Sequence, residues 1–134
     1  MLRVALLVAL LIGSTAWADA GDDMAAGQSV IRSQEEAFSR DDAAAAYTFA
    51  APGIKGMFPS ADIFMSMVRK AYAPVYRHRS FEFGEAKTSA GKIVQEVQII
   101  DADGAAWDAL YTLEPQPDGS LKISACVLKK AVIS

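Results

Sequence analysis

The stretch KIVQEVQIIDADGAAWDALYTLE, residues 92–114, alternates apolar and polar side chains on both sides of one short break at Ala102-Asp103-Gly104. Period-two alternation around a glycine-containing break predicts an antiparallel hairpin with one buried face. Two turn geometries compete. A two-residue turn at Asp103-Gly104 would set Trp107 against Ile100 and Asp108 against Ile99, mixing polar with apolar. A three-residue loop with Gly104 left-handed sets Ile99 against Trp107 and Val97 against Ala109. A slip of one residue exchanges every side chain between faces, so only the second register suits a buried face.

Two further alternating segments flank this hairpin, residues 80–88 before it and 121–129 after it. The same loop rule at all three breaks predicts a four-strand meander. One face then carries the rows Phe81, Ile99, Trp107, Val127; Phe83, Val97, Ala109, Ala125; Glu85, Gln95, Tyr111, Ile123; and Lys87, Ile93, Leu113, Leu121. This is the expected core face. The opposite face carries Glu82, Gln98, Asp108 and Cys126 in one row, with Glu96 diagonal to the acids and Val94, Ile100, Leu110 and Leu128 nearby.

Upstream of residue 80 the apolar period is helical. Val30, Ile31, Gln34, Ala37 and Phe38 make one stripe over residues 24–40, with Gln34 its only polar member. Asp41 and Asp42 open a second short helix that Pro52-Gly53 stops. A third follows Pro59 with Ser60 as N-cap, carries Ile63, Phe64, Met67, Val68 and Ala71 on one side, and ends at Pro74. Residues 54–58 are too short for a helix and predict a small strand. The fold class is therefore α+β, three N-terminal helices packed on one face of a curved antiparallel four-strand meander.

The first twenty residues, MLRVALLVALLIGSTAWADA, place Arg3 before an apolar run and end in two A-x-A sites. That is the pattern of a secretory signal peptide over residues 1–20, cleaved after Ala18 or Ala20. A spanning helix needs roughly 20 apolar residues, and Asp19, Asp22 and Asp23 end the run sooner. No cysteine near the cleavage region offers a lipid anchor. The expected product is a single soluble domain, residues 21–134, in the periplasm or secreted. Its net charge, −3 for the full chain, gives no broad attraction for nucleic acid or for anionic membrane surfaces. Cys126 is the only cysteine, so no internal disulfide forms even in an oxidising compartment.

The motifs that can carry chemistry are few. His78, the only histidine, stands between Arg77 and Arg79, and alternation places Arg79 above Phe81 at the rim of the covered face with His78 turned away. Glu82, Glu96 and Asp108 form an acidic cluster on the uncovered face, able to divide acid and base work or to belong to a solvated or dimeric surface. Tyr47, Tyr72, Tyr76, Trp107 and Tyr111, together with Arg79, are the candidates for lining a pocket, since an aromatic body with a polar tip suits a small-molecule site. Cys126 reads as a small buried hydrophobe. One histidine and one cysteine cannot supply a transition-metal ligand set, so no metal site and no cofactor are expected. No P-loop, G-x-S-x-G or dinucleotide fingerprint is present in the sequence.

The order helix, helix, short irregular segment, helix, meander resembles the cone-shaped nuclear transport factor 2-like (NTF2-like) fold. Along Pro52-Gly53-Ile54, Met57-Phe58, Val75-Tyr76-Arg77-His78-Arg79-Ser80, Asp101-Ala102-Asp103-Gly104 and the segment from Asp118-Gly119 to Cys126, the chain is similar to an uncharacterised bacterial family, domain of unknown function 4864. That resemblance covers nearly all of residues 21–134 and implies the fold; members of the wider superfamily include isomerases, dehydratases and non-catalytic binding domains. Three functions follow for consideration. The first is an exported small binding or accessory domain, non-catalytic, with a small-molecule pocket between helices and sheet. The second is an isomerase- or dehydratase-type enzyme using a pocket acid or base such as His78. The third is a structural homodimer formed through the uncovered sheet face.

Overall fold

The computed structural model describes residues 19–132 and opens with α1, Asp19–Ser39. The expected leader lies outside the described residues except for its last two, which begin α1. The α1 stripe is buried as its spacing predicts: Ile31, Gln34, Ala37 and Phe38 all face inward. Asp42 then accepts a hydrogen bond from Ala45 N at 3.0 Å and caps α2, Ala43–Thr48. Ser60 does the same for α4, Ala61–Ala71, accepting from Ile63 N at 3.1 Å.

Between these helices the expected strand at 54–58 is instead one helical turn, α3, Pro52–Met57. Pro52 sits in the first turn, where its missing N–H has no partner to lose. Extended pairing occurs just upstream: Ala50 bridges Ile123 in parallel, Ala51 N donates to Ile123 O and Ile123 N to Phe49 O, both at 2.8 Å. A fifth short turn, α5, Ala73–Tyr76, contains Pro74 and leads into the sheet.

The sheet is the expected meander, β1 His78–Ser89, β2 Lys92–Asp101, β3 Ala106–Pro115 and β4 Leu121–Lys130, in the order β1-β2-β3-β4. The β2–β3 register is as read, Ile99 against Trp107 and Val97 against Ala109. Asp101 N donates to Ala105 O at 2.8 Å, and Gly104 takes φ +87 in the three-residue loop.

The β1–β2 pairing matches in part, through two offsets that cancel. Its turn is only Ala90-Gly91, both at positive φ, with Ser89 opposite Lys92. That shifts the far half of β1 by one residue and turns Glu85 and Lys87, expected in the core, outward to solvent. A bulge at Gly84-Glu85, two residues facing Glu96, restores the register at Phe83 against Val97. The β4 register differs from expectation. The β3–β4 loop is tighter, with Pro115 opposite Leu121, and Ser124 is an extra residue between the Leu113–Ile123 and Thr112–Ala125 pairs. Beyond it the faces of β4 exchange: Val127 is 53% exposed, and Cys126 comes to the covered face opposite Tyr111.

The helices cover the concave face over Phe81, Ile93, Val97, Ile99, Ala109 and Leu113, all buried. Into that core one amide is built. Gln95 is fully buried, and its Nε2 is shared among Glu96 O at 2.8 Å, Gly84 O at 3.1 Å and Glu85 O at 3.3 Å. Its Oε1 accepts from Gln28 Nε2 of α1 at 3.1 Å. Gln95 thereby supplies the donor that the bulge carbonyls lose when the ladder opens. We expect Gln95→Leu to destabilise the protein by about 3 kcal/mol in urea unfolding, because isosteric apolar volume leaves those carbonyls and Gln28 unpaired. Lys87→Ala, on the exposed arm, should stay within about 0.5 kcal/mol. A Gln95→Leu protein as stable as the wild type would remove the amide from this role.

Candidate functional site

A cavity of about 380 Å³ lies between the helices and the β3–β4 half of the sheet. Gln34 and Phe38 of α1 form its back, Phe64, Val68 and Ala71 of α4 one side, and Tyr111, Ser124 and Cys126 its floor. Ile54, Met57 and Phe58 of the α3 turn, with Met67 across from them, surround the mouth. The α3 turn is held in place by Tyr47, whose hydroxyl donates to Phe58 O at 2.6 Å. Among the described residues, no charged side chain lines the cavity.

Most polar groups in its walls are already occupied. Gln34 Nε2 donates to Ala46 O at 3.2 Å, Ser124 Oγ to Thr112 O at 3.3 Å and Tyr72 OH to Cys126 O at 3.0 Å. Cys126 and Tyr111 face each other across the β3–β4 ladder, and both line the cavity floor. Burial pushes the Cys126 thiol up to about 12 and the Tyr111 phenol well above its usual range. Both groups are therefore neutral at pH 7. Burial also raises Tyr72. A second hollow of about 560 Å³, where the first turns of α1 meet the hairpin ends, is bordered by Asp23, Phe49, Ile93 and Lys122 and touches none of the sequence candidates.

Of the pocket candidates, the structure brings Tyr72 and Tyr111 together at one cavity. Tyr47 packs outside it, tilted on Phe64 at 5.6 Å. Tyr76 donates to Asp41 and lies under the Arg77 guanidinium at 3.9 Å, on the outer side of α5. That hydrogen bond first, then Arg77 and Arg69, hold the Asp41 carboxyl below its usual range. Trp107 serves the β2–β3 turn: its Nε1 donates to Asp101 Oδ2 at 2.8 Å. Arg79 points outward beside Gly104.

The Arg-His-Arg segment is inverted relative to its expected alternation. A register shift at Arg79 lets His78 turn inward, where it packs on Phe81 at 5.0 Å with only 14% of its side chain exposed. His78 Nδ1 lies 2.9 Å from Pro74 O and Nε2 lies 2.5 Å from Glu35 Oε2. Both ring nitrogens face acceptors, and an imidazolium donates to both. Arg32 completes the group by pairing with Glu35 while lying over the Phe83 ring at 4.7 Å. This ties α1 to the start of β1. Glu35 carried no signal in the sequence, because an acid beside the apolar stripe reads as solvated.

The acidic cluster stays on the uncovered face. Glu82, Gln98 and Asp108 form one row as read, but the shifted β4 register closes it with Lys129, not Cys126. Glu96 sits beside the bulge at Gly84. Among the described residues no group of histidine, cysteine and acid side chains is arranged to hold a metal ion. The exposed pair Leu110 and Val127 adjoins this row.

The family model described as Domain of unknown function (DUF4864) matches residues 20–132, and the chain belongs to that family. No curated protein matches it. Among solved structures, it is similar to an NTF-2 like protein of unknown function from Silicibacter pomeroyi DSS-3, with 16% identity over 84% of this chain and 98% of that one, at a TM-score of 0.58. It is also similar to an NTF2-like protein of unknown function from Burkholderia pseudomallei K96243, with 13% identity over 79% of this chain and 91% of that one, at a TM-score of 0.44. The first likeness shows the NTF2-like fold expected from the order of elements.

Two outcomes follow from the site chemistry. At pH 8, Ellman's reagent should react with Cys126 of the folded protein at least about 100-fold more slowly than with the urea-unfolded chain, since so raised a thiol supplies little thiolate; equal rates would place the thiol in solvent. For Asp101, the Trp107 bond first and then the Ala105 N–H hold the carboxyl below its ordinary 3.8. Its stabilising contribution is complete above that ordinary value and fades as pH falls through the depressed native one. Asp101→Asn should therefore lose less Tm than the wild type between about pH 5 and about pH 2.5. Parallel acid limbs would show that Asp101 contributes nothing.

Proposed function

We propose that this DUF4864 protein is an exported, non-catalytic binding domain that holds a small molecule in the cavity between α1, α3, α4 and the β3–β4 floor. The observation that carries the proposal is a largely apolar cavity of about 380 Å³ with one convergent polar pair, Tyr111 and Cys126, at its base. Small-molecule sites have this character, predominantly apolar walls with few placed polar groups in roughly 300–1,000 Å³. The leader-like first twenty residues support export.

A non-catalytic role is favoured over the isomerase or dehydratase alternative by the state of the ionisable groups. Burial keeps Tyr111 and Cys126 protonated, which removes them as base and nucleophile near neutral pH. His78 is engaged at both ring nitrogens by Pro74 and Glu35.

The test is a thermal-shift panel of small metabolites on the purified protein, run beside Ala71→Trp. Ala71 is exposed at the cavity rim, so a larger side chain there covers the opening without entering the core. A true ligand at about 100 times its Kd adds about 3 kcal/mol and should raise Tm by roughly 10 °C. Ala71→Trp should abolish that rise. A panel without any hit, or a rise that survives the substitution, would overturn the proposal.

A further inference from the structure

The cavity's own chemistry narrows what it can hold. Two of its wall hydroxyls, on Ser124 and Tyr72, already give their single O–H to backbone carbonyls, and the Gln34 amide spends one of its two N–H groups on Ala46 O. The Tyr111 hydroxyl is different. Its cross-strand neighbour at the cavity floor is Cys126, and a thiol sulfur is only a weak acceptor. A ligand oxygen or ring nitrogen arriving at the cavity floor would give that hydroxyl a stronger acceptor than the thiol beside it. Tyr111 thus offers a donor that gains by meeting a ligand acceptor.

Charge is excluded by the same walls. Among the described residues lining the cavity there is no Lys, Arg or His to meet an anion and no Asp or Glu to meet a cation. Glu35, an acid whose charge reaches Tyr111, is engaged by Arg32 and His78. Its field opposes an anion at the floor, and its partners leave it no vacancy for a cation. A desolvated, unpaired charge costs several kcal/mol, so an ionised ligand would bind poorly.

The remaining surface selects for rings. Phe64 stands at the centre of an aromatic group, with Phe38 stacked on it at 6.2 Å and Phe58 edge-on at 6.5 Å. Met57 and Met67 at the mouth supply polarizable, adaptable contacts that favour aromatic faces.

We propose that the cavity takes an uncharged aromatic or alicyclic molecule bearing one hydrogen-bond acceptor, seated acceptor-first on Tyr111 with its ring system against Phe64 and the two methionines. This rests on the cavity being the ligand site, as proposed above, and it adds the class of ligand and its orientation.

Two matched pairs of probes test it on the full chain. N-phenyl-1-naphthylamine and 8-anilino-1-naphthalenesulfonate share a skeleton and differ by one sulfonate. The neutral probe should bind saturably at one per chain, and the sulfonate about 100-fold more weakly. In displacement of the neutral probe, 9-fluorenone should compete about 5-fold better than fluorene, which lacks only the carbonyl. Tyr111→Phe should erase that advantage while leaving fluorene unchanged, which also shows that the variant keeps its cavity. Equal binding of the sulfonate would overturn the uncharged class. A carbonyl advantage absent from the wild type, or retained in Tyr111→Phe, would overturn the seating on Tyr111. Failure of all four probes, alongside panel hits that Ala71→Trp abolishes, would sink the ligand class and leave the cavity site standing; failure of the panel as well would remove both.

Discussion

The shape of this protein depends on how one buried amide, Gln95, closes a break in the β1–β2 ladder. Two residues of β1, Gly84 and Glu85, face Glu96 alone, and a bulge of this kind bends the strand and increases its twist. The break leaves backbone carbonyls inside or near the core without ladder partners. Gln95 Nε2 answers three of them, and its Oε1 takes the Gln28 donor from α1. A single side chain therefore joins the bend of the sheet to the helix that lies in the bend. An apolar residue could fill the volume but could not do both.

Polar interactions on the helical side are concentrated at one corner. Arg77 donates to Phe38 O at 2.8 Å and pairs with Asp41, while Glu35 and His78 join α1 to the start of β1. These groups fasten α1, α5 and β1 where the chain passes from helices to sheet. Around α3 and the middle of α4, by contrast, Met57, Phe58, Phe64 and Met67 gather aromatic and methionine side chains. That division explains why a segment as rich in titratable groups as Arg77-His78-Arg79 is a fastening, and why the cavity is neutral.

Much of the fold was legible because alternation and helical spacing are properties of adjacent residues. The α1 stripe, the Asp42 and Ser60 caps, the three-residue loop at Ala102-Asp103-Gly104 and the strand order all follow from local pattern. The β1–β2 rows at Phe81 and Phe83 came out as read because a shorter turn and a bulge offset each other. In β4 nothing offset the Ser124 bulge, so Cys126 and Val127 exchanged faces. A bulge inserts one residue without leaving a mark in composition, and its effect on every later residue is a full change of side.

The candidate site was legible only in part, for the same reason. Tyr72 and Tyr111 were found because each is aromatic on a helix end or strand face that points inward. Alternation alone puts Cys126 on the uncovered face, and the shortness of residues 54–58 reads as a strand although Pro52 starts a helical turn there. What the sequence by itself determined was the fold class, the order of elements and the face of each strand up to its first bulge, since these depend on periodicity within a segment. What only the tertiary structure decided was the pairing of Tyr111 with Cys126, the capture of His78 by Glu35 and the position of the cavity. Each of those joins residues far apart in the chain, and their meeting depends on bulges and turns that a one-residue change of register would undo.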